Sequence, residues 1–341
     1  MNFEKLVQLY FKKQNYRQKF NLDDYNNSKN NSEQDNNIKN ILPIDTSIDT
    51  SLDLSLLDSL LYVLIDHELL NPSLNCLIDR IINKIISYPN LFLDIRYESI
   101  VDFYKNIIGY EILTRVKSLH LLEPSIEPSI KISISTIIEI LQYKNKTKES
   151  QKIQKSIIKK ALKEIEEKIQ NNISTKINSF QEFWFNISPD CLEDVNFVLE
   201  ITDFFNFYQK KYNILLGIEI TEKCKIDLNY SQMLKNLEII KKNNIKTIMD
   251  DFGTDLNNIN FMLEWEWDVI KINGKLVNKI KSSISSKELK KLDAIFKALL
   301  TMINSLKSIP VCEWVETEYQ YEILKSYGYT YFQGYLFNPP P

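Results

Sequence analysis

The sequence predicts an α/β fold in which eight strands alternate with helices to form a (β/α)8 barrel. Three observations carry the prediction. Short β-branched or aromatic runs recur from about Leu93 onward. Helical patterns lie between most of these runs. Polar residues gather near the C-terminal ends of the runs, where barrels of this kind build their sites. The 341 residues allow one large domain with an appendage, or two modest domains. A barrel takes about 250 of them.

Residues 21–52 are rich in Asn, Asp and Ser and have no apolar period, so 1–52 reads as a flexible tail. Closely spaced Leu and Ile over 52–88, broken at Asn71-Pro72, predict two short helices. These place a small helical segment over 53–91 and the barrel over 92–341. The strand candidates are 93–101, 109–116, 183–188, 216–221, 246–252, 269–273, 311–316 and 331–335. Between the second and third, Ile153, Ile157, Ile158, Ala161, Leu162, Ile165 and Ile169 form a seam at helical spacing with Lys and Glu opposite. That is the pattern of a barrel helix packed on the sheet. A doubly wound open sheet is the structural alternative. No GxGxxG or GxxxxGK loop follows any strand, so nucleotide binding of those kinds has no support.

Composition narrows the chemistry. Hydrophobic residues make up 44% and charged residues 26%, which fits a globular protein. The net charge of −3 points neither to nucleic acid nor to membranes, and no duplex nucleic acid partner is expected. The most apolar stretch, around Leu52 to Leu70, is interrupted by Asp53, Asp58, Asp66 and His67, so no membrane insertion is expected. The N-terminus has no uninterrupted apolar core and reads poorly as a signal peptide. Cys76, Cys191, Cys224 and Cys312 are far apart, which fits a reducing cytoplasm rather than a disulfide framework. His67 and His120 are the only histidines. A histidine base or a multi-histidine metal site is thereby nearly excluded.

The polar residues near the strand ends are Glu111, Asn186, Glu219, Asp250, Asp251, Lys271, Glu313 and Gln333. Any one alone reads as an ordinary hydrogen-bonded or exposed group. Together they place five carboxylates in one mouth with Lys271 as the offsetting cation. Side chains alternate along a strand, so Glu111, Leu113 and Arg115 share a face, as do Lys271 and Asn273. Asp250 and Asp251 break the alternation unless one lies at the strand's end. Like charges this close need compensation, and two divalent cations bring the group to about neutrality. Oxygen ligands without histidine or thiolate favour Mg2+ or Mn2+ over zinc. A pair of such ions about 4 Å apart is the usual device for phosphodiester hydrolysis.

At this point the residues resemble a known family. Tyr110-Glu111-Ile112-Leu113-Thr114-Arg115 resembles the EAL signature, with Ile in the place of Ala. Phe185-Asn186-Ile187-Ser188-Pro189 is similar to N-x-S-P, and Ile218-Glu219-Ile220-Thr221-Glu222 to ExTE. Asp250-Asp251-Phe252-Gly253-Thr254 matches DDFGT, and Lys271-Ile272-Asn273 resembles KID. Glu313-Trp314-Val315-Glu316-Thr317 resembles EGVET, and Gln333-Gly334-Tyr335 matches QGY. The resemblance runs over about residues 92–338, in the family's order. It implies a modified, TIM-like (β/α)8 barrel and a cyclic-di-GMP phosphodiesterase that yields linear pGpG with two Mg2+ or Mn2+ ions. It further implies metal ligation by Glu111, Asn186, Glu219, Asp250, Asp251 and Glu313. Glu111, Lys271 and Glu313 would be catalytic. Leu113, Arg115 and Gln333 would contact substrate, and Glu222 would support the loop after Asp251. A homodimer is a further expectation.

The pattern departs in four places. Asp255 stands where the family has a glycine, Asn273 where it has the KID aspartate, and Trp314 where it has a second glycine. Tyr97-Glu98 stands where the family often has a glutamine that helps hold substrate. Alternation would turn the Trp314 indole away from Glu313, toward the helix layer; the alternative is that it crowds the mouth. Asn273 and the loop altered at Asp255 favour the alternative function: an EAL-like domain of weak or no turnover that acts as a cyclic-di-GMP receptor or binds a protein partner. The intact metal set favours the enzyme.

Overall fold

The computed structural model describes residues 72–117, 133–171, 181–221, 229–253 and 258–338. The predicted tail, residues 53–71 of the helical segment, Glu222 and Asp255 lie outside them. By packing, the chain divides into Met1–Leu74 and Asn75–Pro341. Apart from the first three residues of helix α1, all that follows concerns the second unit.

Helix α1 (Pro72–Ser87) begins at the proline that the sequence marks as a break, a residue suited to a first helical turn. A short turn of helix, α2 (Pro89–Phe92), leads into the sheet. Eight strands close into a barrel in chain order. They are β1 (Leu93–Val101), β2 (Ile107–Val116), β3 (Glu182–Asn186), β4 (Leu215–Thr221), β5 (Lys246–Phe252), β6 (Val269–Ile272), β7 (Ile309–Cys312) and β8 (Tyr331–Gln333).

Strand β1 runs antiparallel to both β2 and β8, and the other neighbours are parallel. The cause is local. Residues 102–106 form a tight turn in which the Asp102 carboxylate accepts from the Tyr104 and Asn106 amides, each at 2.8 Å. A connection this short holds no crossover helix, so the two strands it joins must be antiparallel.

Between β2 and β3 lie α3 (Ile134–Tyr143) and α4 (Thr147–Gln170). The predicted seam is there: Ile153, Ile158, Ala161, Leu162 and Ile165 are buried on α4. After β3 come a 3-10 turn (Pro189–Glu193) and α5 (Val195–Tyr212), which Asp194 caps. Helix α6 (Tyr230–Lys242) follows β4, and α7 (Asn258–Glu264) follows β5. Helices α8 (Gly274–Val277) and α9 (Ser286–Ser305) separate β6 from β7, and α10 (Glu318–Tyr327) separates β7 from β8. Capping boxes at Ser285/Glu288 and Thr317/Gln320 fix where α9 and α10 begin. No helix among the described residues is long and apolar enough to cross a membrane.

Alternation along the strands splits the interior in two. Phe183, Phe185, Ile218, Ile220, Ile270, Ile272 and Cys312 join the larger core with the helices. Ile100, Trp184, Ile248, Val269 and Val311 pack together as a separate apolar cluster. Gly217 shares the second face, and a Cβ there would come within 2.6 Å of Ile248 and 3.1 Å of Trp184. Its bare Cα makes room for the indole. Two residues on from Trp184, Gly217, Ile248, Val269 and Val311 stand Asn186, Glu219, Asp250, Lys271 and Glu313. A period of two carries them onto the same face, one layer nearer the C-terminal ends. The apolar layer is the floor on which the polar layer rests.

Candidate active site

The polar layer closes on Lys271. Its Nζ lies 3.1 Å from Glu111 Oε2, 2.5 Å from Glu219 Oε1, 2.7 Å from Glu313 Oε1 and 3.3 Å from Asp250 Oδ1. The Lys271 side chain is 1% exposed, so these are contacts out of water. Glu111 is held on both oxygens. Asn186 Nδ2 donates to Oε1 at 2.9 Å, and Gln333 Nε2 donates to Oε2 at 2.5 Å. Two residues after Asn186, Gln154 of α4 donates to Ser188 Oγ at 2.5 Å and accepts from the Ser188 amide at 3.1 Å.

The charges bear on one another strongly. Burial pushes the Glu219 and Glu313 carboxyls well above the usual range, and Asp250 upward as well, with neighbouring carboxylates adding to the rise. For Lys271, burial would favour loss of the proton, but Asp250, Glu111, Glu219 and Glu313 together outweigh it and hold the ammonium charged. For Glu111, burial is likewise outweighed by Lys271, Gln333 and Asn186, so its carboxyl falls below the usual range. This is the signature of a site with an excess of negative charge and one cation among its described residues.

Asp250 and Asp251 both reach the site because β5 is irregular. Its register against β6 shifts between Met249 and Phe252, and Asp251 takes a left-handed φ of 58°. The break in alternation lies at a bulge within the strand, not at the strand's end. Bulges re-aim side chains in this way. Asn273 Nδ2 donates to Asp251 Oδ1, while Asn273 Oδ1 accepts from the Lys275 amide at 2.8 Å and caps α8. Sequence alternation pairs Asn273 with Lys271 on one strand face. The structure corrects this: β6 ends at Ile272, and Asn273 turns to the β5 bulge instead.

A second correction concerns Trp314. Strand β7 ends at Cys312, so alternation does not extend to the indole. Trp314 has a φ of 53° and is 45% exposed, against Gly274 rather than within the helix layer. On β2, Glu111 is buried, Leu113 half-buried and Arg115 exposed, so the shared face rises from the floor to the rim. Arg115 Nη1 donates to the Thr114 carbonyl at 3.3 Å. Gln333 reaches the cluster from β8, whereas Glu222 lies outside the described residues.

Glu98 belongs to the same mouth. The β1–β2 register sets it across from Glu111. Burial raises its carboxyl and Glu111 raises it further, against the pull of Lys271, Gln333 and Arg115. The signal was present in the hairpin: a short antiparallel connection fixes which residue of β1 faces Glu111.

The donor set fits divalent cations. Ligand oxygens of Glu111, Glu219 and Glu313 lie within 4.8 Å of one another, as do those of Asp250, Asp251 and Glu313. Glu313 stands in both groups. Glu219 Oε2 is buried without a hydrogen-bond partner, an oxygen that a cation would satisfy. These five carboxylates, with Asn186, offer only carboxylate and amide oxygens, the donors that hard cations prefer.

The model of the EAL domain family matches residues 90–340. A protein of Escherichia coli strain K12 named as a probable cyclic di-GMP phosphodiesterase, PdeA, is 31% identical over 159 residues, covering 46% of this chain and 21% of that protein. The matched stretch spans less than a third of the curated relatives' own length. An EAL domain protein of Listeria monocytogenes shares the fold at a TM-score of 0.56 and 24% identity, covering 77% of this chain and 92% of that one. The FimX EAL domain of Xanthomonas citri, solved with c-di-GMP, superimposes at a TM-score of 0.58 and 12% identity, covering 78% of this chain and 95% of that one.

Proposed function

Because the chain belongs to the EAL domain family, we propose that it hydrolyses cyclic-di-GMP to linear pGpG, using two Mg2+ or Mn2+ ions, and so lowers the concentration of that second messenger. The observation that carries the proposal is the convergence of two carboxylate triads on one buried lysine, with an unpartnered Glu219 oxygen among them.

Glu111, Asn186, Glu219, Asp250, Asp251 and Glu313 would hold the ions. When bound, the cations supply Lewis acidity toward the phosphoryl oxygens and toward the attacking water. In the reaction a water oxygen bonds to phosphorus and one P–O3′ bond breaks, which leaves a 5′-phosphate and a free 3′-hydroxyl. Lys271 stays protonated in its carboxylate cage, so it acts as a fixed positive charge beside the developing negative charge, not as a base. Gln333 and Asn186 hold the Glu111 carboxylate in one orientation. Arg115, exposed at the end of β2, presents a planar fork of donors suited to a phosphate. Leu113 offers an apolar edge below it. Glu222 is assigned to support of the loop after Asp251.

A site that binds cyclic-di-GMP with little turnover is the second reading, favoured by Asn273 on Asp251 where the family's aspartate would add charge. A cytoplasmic location and a homodimer complete the proposal. It is tested by pGpG formation under single-turnover conditions, alongside cyclic-di-GMP affinity in Ca2+. Binding without product supports the receptor, and neither binding nor product in a folded, metal-loaded protein overturns both readings.

A further inference from the structure

Trp314 is the least expected residue at the rim. A bulky side chain at a φ of 53° is a genuine outlier, because the left-handed region crowds Cβ against the backbone. The strand ends on either side leave the backbone no other course. The Glu313 amide donates to the Ile272 carbonyl at 3.2 Å, and the Val315 amide to the Gln333 carbonyl at 3.0 Å. Gly334 sits so close that a Cβ there would lie 2.4 Å from the Val315 nitrogen. Glycine would suit this conformation at no steric cost, yet the chain places its largest side chain there.

The indole has a seat made for it. A Cβ on Gly274 would lie 2.0 Å from Trp314 Cγ and 2.2 Å from Cδ2, so the ring rests directly on a bare Cα at the start of α8. One side of Trp314 is thus covered and the rest of the residue, 45% exposed, is open. Its neighbours are site residues: Glu313 beside it in sequence, Gln333 bonded to the next amide, and Asn273 before Gly274. The remaining side chains of the mouth are mostly charged or amide groups, which can hold phosphate and ions but offer little to a flat aromatic ring.

We propose that Trp314, seated on Gly274, is a stacking platform for a purine base of the substrate and determines part of the site's affinity for it. The role rests on the reading of the site as one for cyclic-di-GMP. Base–aromatic stacking needs only an open ring face, and its removal weakens binding by about ten- to a hundredfold. Strain at a site is consistent with such a function, since it persists only where the surroundings enforce it.

The full chain is titrated with cyclic-di-GMP in Ca2+ as wild type, Trp314→Gly, Trp314→Phe and Gly274→Ala. The expected result is a dissociation constant raised by roughly ten- to a hundredfold in Trp314→Gly and within about threefold of wild type in Trp314→Phe. Gly274→Ala, which pushes the ring off its seat, should weaken binding as well. Saturating ligand should quench the indole emission of wild type, and that change should be missing from Trp314→Phe. Equal affinity in wild type and Trp314→Gly, or emission indifferent to bound ligand, overturns the stacking role alone. Absence of wild-type binding overturns the proposed substrate and the stacking role with it. If Trp314→Gly does not fold, the affinity of Trp314→Phe and the emission of wild type with and without ligand decide the question.

Discussion

At the scale of single residues, Lys271 does two things that a substitution can separate. Among the described residues it is the one cation in contact with Glu111, Glu219, Asp250 and Glu313. Lys271→Ala leaves those carboxylates buried without compensation, which costs about 3–5 kcal/mol in the metal-free protein. Mn2+ should restore most of that loss in calorimetry, because it supplies the missing charge. Turnover should still fall by about a hundredfold or more under saturating Mn2+. If turnover returns along with stability, Lys271 only balances charge.

The raised carboxyls give a pH prediction. Glu219, Glu313 and Asp250 bind protons more readily in the folded chain than in the unfolded one, chiefly through burial. The stability from those protons is complete below the ordinary carboxylate range. It is lost as the pH rises through the raised values. Cations compete with the same protons for the same oxygens. The rise in melting temperature given by Mg2+ or Mn2+ should therefore be larger near pH 8 than near pH 5.5. Asp250→Asn together with Asp251→Asn should abolish it at both. An equal rise at the two pH values, or one that survives the double substitution, would speak against ions at this site.

At the scale of elements, the β5 bulge and the N-terminus of α8 are joined through one amide. Asn273 donates to Asp251 and accepts from Lys275, so it uses both ends of its side chain. Asn273→Asp keeps the cap but sets two carboxylates against each other. The loss of the donor costs about 1–3 kcal/mol without metal. The same added charge should make the melting temperature rise more steeply with Mn2+ than in wild type. A metal-free stability equal to wild type would show that the Asn273–Asp251 contact carries no weight.

The sequence made most of this legible at the strands and less at their ends. Short β-branched or aromatic runs marked each strand among the described residues, whose inward face is polar above and apolar below. The run Val311-Cys312-Glu313-Trp314-Val315-Glu316 also alternates, yet the sheet ends at Cys312 because Trp314 turns left-handed. Alternation registers neither a change in φ, which misplaced Trp314, nor the end of a strand, which misplaced Asn273. The bulge at Asp251 escaped for the same reason, though the adjacent aspartates marked its place. The resemblance marked the place of Glu98, but its pairing with Glu111 needed knowledge of which strands are antiparallel, which a single strand's pattern does not contain.

At the scale of the molecule, the site draws on β1 through β8. Glu111 on β2 and Gln333 on β8 are far apart in sequence and bonded at 2.5 Å, so the site exists only when the barrel is closed. The residues that build it all lie between Glu98 and Gln333. A chain that begins at Ser51 should keep the hydrolytic rate of the full chain. A folded chain of that kind without activity would show that the first 50 residues take part in the reaction or in assembly.

The measurement that bears most directly on the whole account is the product formed when purified protein meets cyclic-di-GMP with Mg2+ or Mn2+. Linear pGpG is expected in the presence of either ion, and none with the Asp250→Asn, Asp251→Asn variant or after chelation. Intact cyclic-di-GMP after prolonged incubation with folded, metal-loaded protein would contradict it.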